Sequence, residues 1–420
     1  MKILILQDDF PPEGYGGAAA IASNLARQFK RDGHDVFVVT TSRDREKQGQ
    51  SEYEGIPVFR IVTSYDLRFQ AYVSLWNPRA TREVKRILRE FKPDIVHVHN
   101  VHGYLSYRTL TLAHKSGARV VLTAHDVMSF NYSKLTEYID PTNLAIPHDF
   151  NYRIHPLRQL REQRLRYNPF RNFLIRRILA RDVNKIIAVS DALKIALNDN
   201  GIGNVEVIHN GIDVDEWKES AESIEQFKRE HNIGKSAVLF GGRLSGVKGT
   251  SKIVEAVALV RERIPAAQLL VIGKKDSAAD NMLNYAQRLG ISDAIIFTGW
   301  VSGANLHAAY HTASIVAVPT LSFDSFPTMN LEAFACAKPV VATCFGGSRE
   351  IVEDGVSGYI VNPFDTKMLA DQIDVLLSNH QKVHAMGRAG YERVTIDFSL
   401  SSQAKQYESL FAMLLQSGAR

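Results

Sequence analysis

The chain has 420 residues, of which 45% are apolar and 23% charged, with a formal net charge of +5. That length exceeds one compact core and points to two domains of roughly 200 residues. The composition excludes a disordered chain, and so small a net charge does not by itself argue nucleic-acid binding.

Ile3–Leu6 is a short apolar run that ends at acids. A spanning helix needs about 20 apolar residues and a signal peptide a longer apolar core, so the run reads as a buried first strand. Asp8-Asp9 at its end lacks the D-x-D spacing of a metal-binding pair and is expected to cap the next turn. Gly14-Tyr15-Gly16-Gly17-Ala18-Ala19-Ala20 then leads into a helical pattern over Ala18–Arg31. Small residues there permit close backbone approach by a ligand; a plain tight turn is the alternative.

Further strands are expected at Val36–Val39, Ile95–Val98, Val120–Thr123, Ile186–Val189 and Val205–Ile208, with a helix over Thr81–Phe91. Histidines collect in this half, at 97, 99, 102, 114 and 125. His97 and His99 share one strand face, which raises a zinc site and a metal hydrolase as a rival reading. No strand-end acid completes a ligand pattern, so the pair reads as core or supporting histidines. His125-Asp126 ends a strand and reads as part of a catalytic cleft.

Between Asn151 and Arg181 there are nine arginines and a single acid, Glu162. If this segment is helical, Leu157, Leu160 and Leu165 alternate with arginines, and Phe170, Phe173, Leu174 and Ile178 follow Pro169. Such a segment suits an anionic membrane surface or a lipid-linked diphosphate acceptor, with Arg161, Arg164 and Arg166 as its candidate contacts. A solvated face whose apolar side packs on the domain is the alternative. Nucleic acid is not expected, since no stacking platform accompanies the charge.

The seam is placed at His209-Asn210-Gly211-Ile212-Asp213. This divides the chain into an N-terminal domain (1–212), a linker with one surface helix (213–235), a second domain (236–398) and a C-terminal helix (399–420) expected to return toward the first domain. The second half repeats the alternation, with strands at Ala237–Phe240, Leu269–Ile272, Ile295–Thr298, Ile315–Val318 and Val340–Thr343. Strands apolar throughout belong to parallel sheets covered by helices on both faces, so two doubly wound units are expected. Their ligands belong in loops beyond the carboxyl ends of the strands.

One such loop is Phe240-Gly241-Gly242-Arg243-Leu244-Ser245-Gly246-Val247-Lys248-Gly249-Thr250. Its glycines admit a ligand to the backbone, the helix that follows attracts anions, and Arg243 and Lys248 add two cations, a set suited to a diphosphate. It is not an ATPase P-loop, because Val247 stands where that motif needs lysine. A second signal is Asp324-Ser325-Phe326-Pro327-Thr328-Met329-Asn330-Leu331-Glu332. Pro327 suits a helix start, and the two carboxylates can address hydroxyls at different ends of one ligand. Ser399–Gln416 reads as an amphipathic helix with Leu400, Tyr407, Leu410, Phe411 and Leu414 on its apolar side. Cys336 and Cys344, the only cysteines, cannot build a disulfide framework, so a reducing compartment is expected.

As an ordered set these residues resemble the retaining glycosyltransferases of family 4 (glycosyl transferases group 1), which have the GT-B fold of two facing Rossmann-like domains with a cleft between them. The resemblance rests on Gly16-Gly17, His97-Val98-His99, His125-Asp126, Val189-Ser190, His209-Asn210-Gly211-Ile212-Asp213, Gly242-Arg243 with Lys248-Gly249, Asp324 with Glu332, Lys338-Pro339-Val340-Val341-Ala342 and Gly346-Gly347. One departure is Asp324, where the family's E-x7-E element begins with glutamate. The resemblance implies that Arg243 and Lys248 hold the donor diphosphate, that Asp324 binds the donor sugar and Glu332 the ribose, and that His125 contacts the transferred sugar. Gly16, Gly17, Gly242, Phe326, Pro327 and Thr328 complete the donor site, with Gly273 and Val301, beside Trp300, near the base. It further implies transfer of a hexose from a nucleoside diphosphate, UDP favoured over GDP, to a glycan or lipid-linked acceptor, with retention by front-face attack and with no metal or cofactor. A cytoplasmic protein, at most peripheral on the inner face of the membrane, is expected. An epimerase or phosphorylase of the same fold and a non-catalytic glycan-binding relative are the rival readings.

Overall fold

The computed structural model describes residues 1–14 and 16–417. Its strands in chain order are β1 (Lys2–Leu6), β2 (Asp35–Ser42), β3 (Gly49–Tyr53), β4 (Ile56–Val62), β5 (Ile95–Val98), β6 (Arg119–Ala124), β7 (Lys185–Ala188), β8 (Val205–Val207), β9 (Ala237–Gly241), β10 (Gln268–Ile272), β11 (Ile295–Gly299), β12 (Ile315–Val318), β13 (Val340–Thr343) and β14 (Gly358–Val361). They form two sheets, and the chain divides into two compact units.

The first unit comprises residues 1–138 and 151–211 together with the helix Leu400–Gln416. Its sheet runs β3-β4-β2-β1-β5-β6-β7-β8, parallel except where β3 meets β4. That hairpin, unmarked in the sequence reading, turns on Glu54 and Gly55, both at positive φ (47° and 79°). Helix Pro78–Phe91 starts with proline in its first turn and is capped by Asn77, whose side chain accepts the N–H groups of Arg79 and Ala80. The helix Leu400–Gln416 buries Leu400, Tyr407, Leu410 and Phe411 against Phe29 and the strand residues Ile3, Ile5 and Val121. Its Tyr407 hydroxyl hydrogen-bonds Thr123 Oγ1 at 2.8 Å.

Asp8 does not cap the turn that follows it. Its carboxylate accepts the backbone N–H groups of Gly103, Tyr104 and Leu105 at 2.5, 2.9 and 2.7 Å. The reason is topological: β1 and β5 are adjacent parallel strands, so the loops beyond their carboxyl ends meet. Burial lifts its pKa to about 6 against the opposing pull of His102 and those three amides.

The second unit comprises residues 139–150 and 212–399. Its six strands are all parallel, in the order β11-β10-β9-β12-β13-β14. Val238, Leu239, Leu269, Leu270, Val316, Val340 and Val341 are fully buried, as strands covered on both faces require. Residues 139–150 have no regular structure and are pinned to this unit by side chains: Asn362 Nδ2 donates to the carbonyls of Asn143 and Ala145, each at 2.9 Å, and Arg349 to that of Pro147 at 2.8 Å. Among the described residues no helix is long and apolar enough to cross a membrane.

Candidate active site

In the second sheet the chain winds outward from β9 through β10 to β11, then returns to the other side of β9 with β12. The carboxyl ends of β9 and β12 therefore flank the point where the winding reverses, which is where open α/β sheets bind ligands. The first of these loops carries Gly242, Arg243 and Lys248, and the second leads to Asp324.

Glycines make the approach of the two loops possible. Gly249 sits at φ +81°, and a Cβ there would lie 2.1 Å from the Pro319 carbonyl oxygen. Gly346, at φ +94°, backs onto Asp324 in the same way, 2.1 Å from its carbonyl oxygen. Leu321 N–H donates to Val247 O at 2.8 Å, so backbone as well as packing joins the loops. Lys248 Nζ meets Asp324 Oδ2 at 2.5 Å, and Thr320 Oγ1 reaches the same oxygen at 3.5 Å. The two charged residues singled out in separate motifs are thus brought together. Arg243 is exposed and, among the described residues, makes no ion pair.

Pro327 occupies the cap of helix Thr328–Ala335, which places Glu332 one turn in. The Tyr310 hydroxyl donates to Glu332 Oε2, and Thr328 also hydrogen-bonds the carboxylate. Burial raises the Glu332 pKa, and those two hydroxyls oppose the rise. Tyr310 is itself fully buried, edge-on to Trp217 with ring centroids 5.4 Å apart. Sequence reasoning missed Tyr310, because an aromatic residue on a helix face looks the same whether its hydroxyl has a task or not. Phe326 is buried edge-on to Phe398 at 5.6 Å. Gly273, at the end of β10, accommodates the Gly242 carbonyl, 2.8 Å from where its Cβ would be. Val301 follows β11, beside Trp300 and the Lys274 ammonium 5.9 Å from that ring.

Gly16, Gly17 and His125 belong to the first unit. Gly16 caps helix Gly17–Arg31 in extended backbone; Tyr15 of the same loop lies outside the described residues. His125 follows β6, its Nε2 2.8 Å from His99 Nδ1, and His97 Nε2 lies 2.8 Å from Thr123 Oγ1. The aromatic rings of Tyr407 and Phe411 wall in His97 at 4.6 and 5.5 Å. Burial, reinforced by the neighbouring histidines, holds His97 near a pKa of about 3 and His99 well below its ordinary value. His125 falls to about 4, chiefly by burial and despite Asp126.

Unfolded, each of these histidines titrates near 6.5, so the unfolded chain binds protons that the folded one refuses. Their contribution is complete above about pH 6.5 and is lost as the pH falls toward about 4. Asp8 works in the opposite direction below about pH 6, one group against three. Thermal melts should therefore show the first unit losing stability between pH 7 and pH 5, with a shallower slope in His97→Gln. An unchanged slope would remove His97 from the explanation.

The model for Glycosyltransferase Family 4 matches residues 15–216, and that for Glycosyl transferases group 1 matches residues 222–393. A glycosyltransferase of Methanocaldococcus jannaschii, itself uncharacterised, is 26% identical over 386 residues, covering 90% of each chain. Sucrose-phosphate synthase from Thermosynechococcus elongatus superposes with a TM-score of 0.78 at 19% identity, over 99% of this chain and 100% of that one. HepE of Anabaena, solved in complex with UDP and glucose, gives 0.74 at 20% identity, over 98% and 100%. At such identities the structural likeness speaks for the fold, while the two family models between them take in both units. The chain belongs to family 4 of the glycosyltransferases and has the GT-B fold.

Proposed function

We propose that this glycosyltransferase moves a hexose from UDP-hexose to a glycan or lipid-linked acceptor, with retention of configuration and without a metal, in the synthesis of a surface polysaccharide or glycolipid. The observation that carries the reading is the pairing of Lys248 with Asp324 at 2.5 Å where the winding of the second sheet reverses, with an exposed Arg243 on the same loop. Fixed cations beside close-approach glycines suit a diphosphate, whose charge grows as the sugar leaves, and they supply that stabilisation without a metal. Asp324 then serves the sugar hydroxyls and Glu332, oriented by Tyr310, the ribose. The uridine preference draws on HepE, a protein of the same fold that binds UDP and glucose.

Lys248 and Asp324 satisfy each other's charge, and donor binding would separate them. Asp324→Asn should raise the KM for UDP-hexose about tenfold, the size of one lost hydrogen bond to a charged group. Free UDP should bind as well as to the parent or better, because Lys248 is released. Isothermal calorimetry with UDP and steady-state kinetics with UDP-hexose separate the two effects. A parallel loss of UDP affinity would sink the division of labour proposed for these two side chains.

A further inference from the structure

The first unit carries an outward face that folding leaves unused. In helix Arg171–Asp182, Arg171, Ile175, Leu179 and Asp182 are buried. Phe170, at its cap, and Phe173, within it, stay 68% and 55% exposed. The usual arrangement is inverted: an arginine points inward and phenylalanines point to solvent. Inside, the Arg171 guanidinium is held by Ser74 Oγ (3.3 Å), Met128 O (2.6 Å) and Asn172 Oδ1 (3.0 Å), and it lies over the Tyr132 ring. The preceding helix, Pro156–Gln163, repeats the inversion, with Gln159 buried and Leu157 and Leu160 exposed.

A second segment continues the face. Residues 67–76 expose Phe69 at 56% and Trp76 at 62%. They join the arginine helices through the Ser74–Arg171 bond and through Arg166, close enough for its charge to act on Asp66. The charge is one-sided. The acids here are already paired, Glu162 with Arg158 at 2.8 Å and Asp66 with Arg68 at 2.5 Å. Arg161, Arg164, Arg166 and Arg177 are exposed and make no ion pair among the described residues.

We propose that this face, built from residues 67–76 and 157–177, docks the protein on an anionic lipid bilayer. Exposed rings that sit at the headgroup level, set among unpaired guanidiniums, match a surface that is negative outside and apolar just beneath. An acidic protein or a duplex nucleic acid would answer the arginines and leave the rings without a role, and a single strand that stacked on the rings would not bring the protein down with vesicles. The proposal does not depend on which sugar or acceptor the enzyme uses, since its test reads binding alone.

Cosedimentation of the whole protein with phosphatidylcholine vesicles, with and without phosphatidylglycerol, tests it. Binding is expected only with phosphatidylglycerol, and weaker at high salt. Replacing Arg161, Arg164 and Arg166 by glutamine should lower partitioning by ~100-fold, about fivefold for each charge. Phe170→Ser with Phe173→Ser should lower it about tenfold or more, with an unchanged melting temperature because both rings are solvent-facing. Trp76 emission should move to the blue on vesicle addition. If the arginine variant loses binding while the phenylalanine variant does not, the face is a polyanion site and the membrane proposal falls. Equal binding to pure phosphatidylcholine, or no effect of either variant, overturns it as well.

Discussion

Lys248→Ala should lower kcat/KM for sugar transfer by about three orders of magnitude, the upper end of what one preorganised donor to a developing negative charge supplies. The same substitution should barely touch folding. Among the described residues Lys248 pairs only with Asp324, its side chain is 32% exposed, and a solvent-screened pair of this kind contributes about 1 kcal/mol or less. Steady-state kinetics and differential scanning fluorimetry on one preparation give both quantities. A melting loss in proportion to the activity loss would make Lys248 a structural residue and withdraw its role at the diphosphate.

Gly249→Ala should fail in the opposite manner, losing stability and donor binding together. The residue holds φ +81°, which costs an alanine about 1 kcal/mol. The added methyl would also lie 2.1 Å from the Pro319 carbonyl, which is backbone and cannot rotate away. The loops after β9 and β12 must then part, at a total cost of about 3 kcal/mol or more. Gly290 supplies the control, with φ +72° and open space around its Cβ. Gly290→Ala should show the backbone cost alone, and donor affinity should be preserved. If both variants melt alike, crowding at Pro319 is not what reserves position 249 for glycine.

The inner strands of both sheets that are apolar throughout were legible because burial on both faces leaves no polar position to blur the run, whereas the edge strand β14, opened by a glycine, was missed. The hairpin of β3 and β4 was not. Its turn uses Glu54 at positive φ where asparagine or aspartate commonly signals such a bend, and Gln50, Ser51 and Glu52 are polar with no apolar alternation. At the candidate site, Lys248 and Asp324 each stood out within a local motif, yet nothing local tells that they touch across 76 positions. Residues 139–150 were unreadable for a related reason. They lack periodicity, and the groups that fix them, Arg349 and Asn362, lie far along the chain.

The division of the chain has a consequence for its synthesis. The first unit takes its last helix, Leu400–Gln416, from beyond the whole second unit, and the two crossings lie side by side, with Ile212 N–H donating to Phe398 O at 2.9 Å. A ribosome that has passed residue 211 has made every strand of that unit but not the helix that covers Phe29 and His97. The nascent N-terminal half must therefore wait with an open hydrophobic seam while the other half emerges and folds. The exposed rings of such a half-finished unit are what chaperones bind. Cutting the chain at the seam to express the halves separately would make that waiting state permanent.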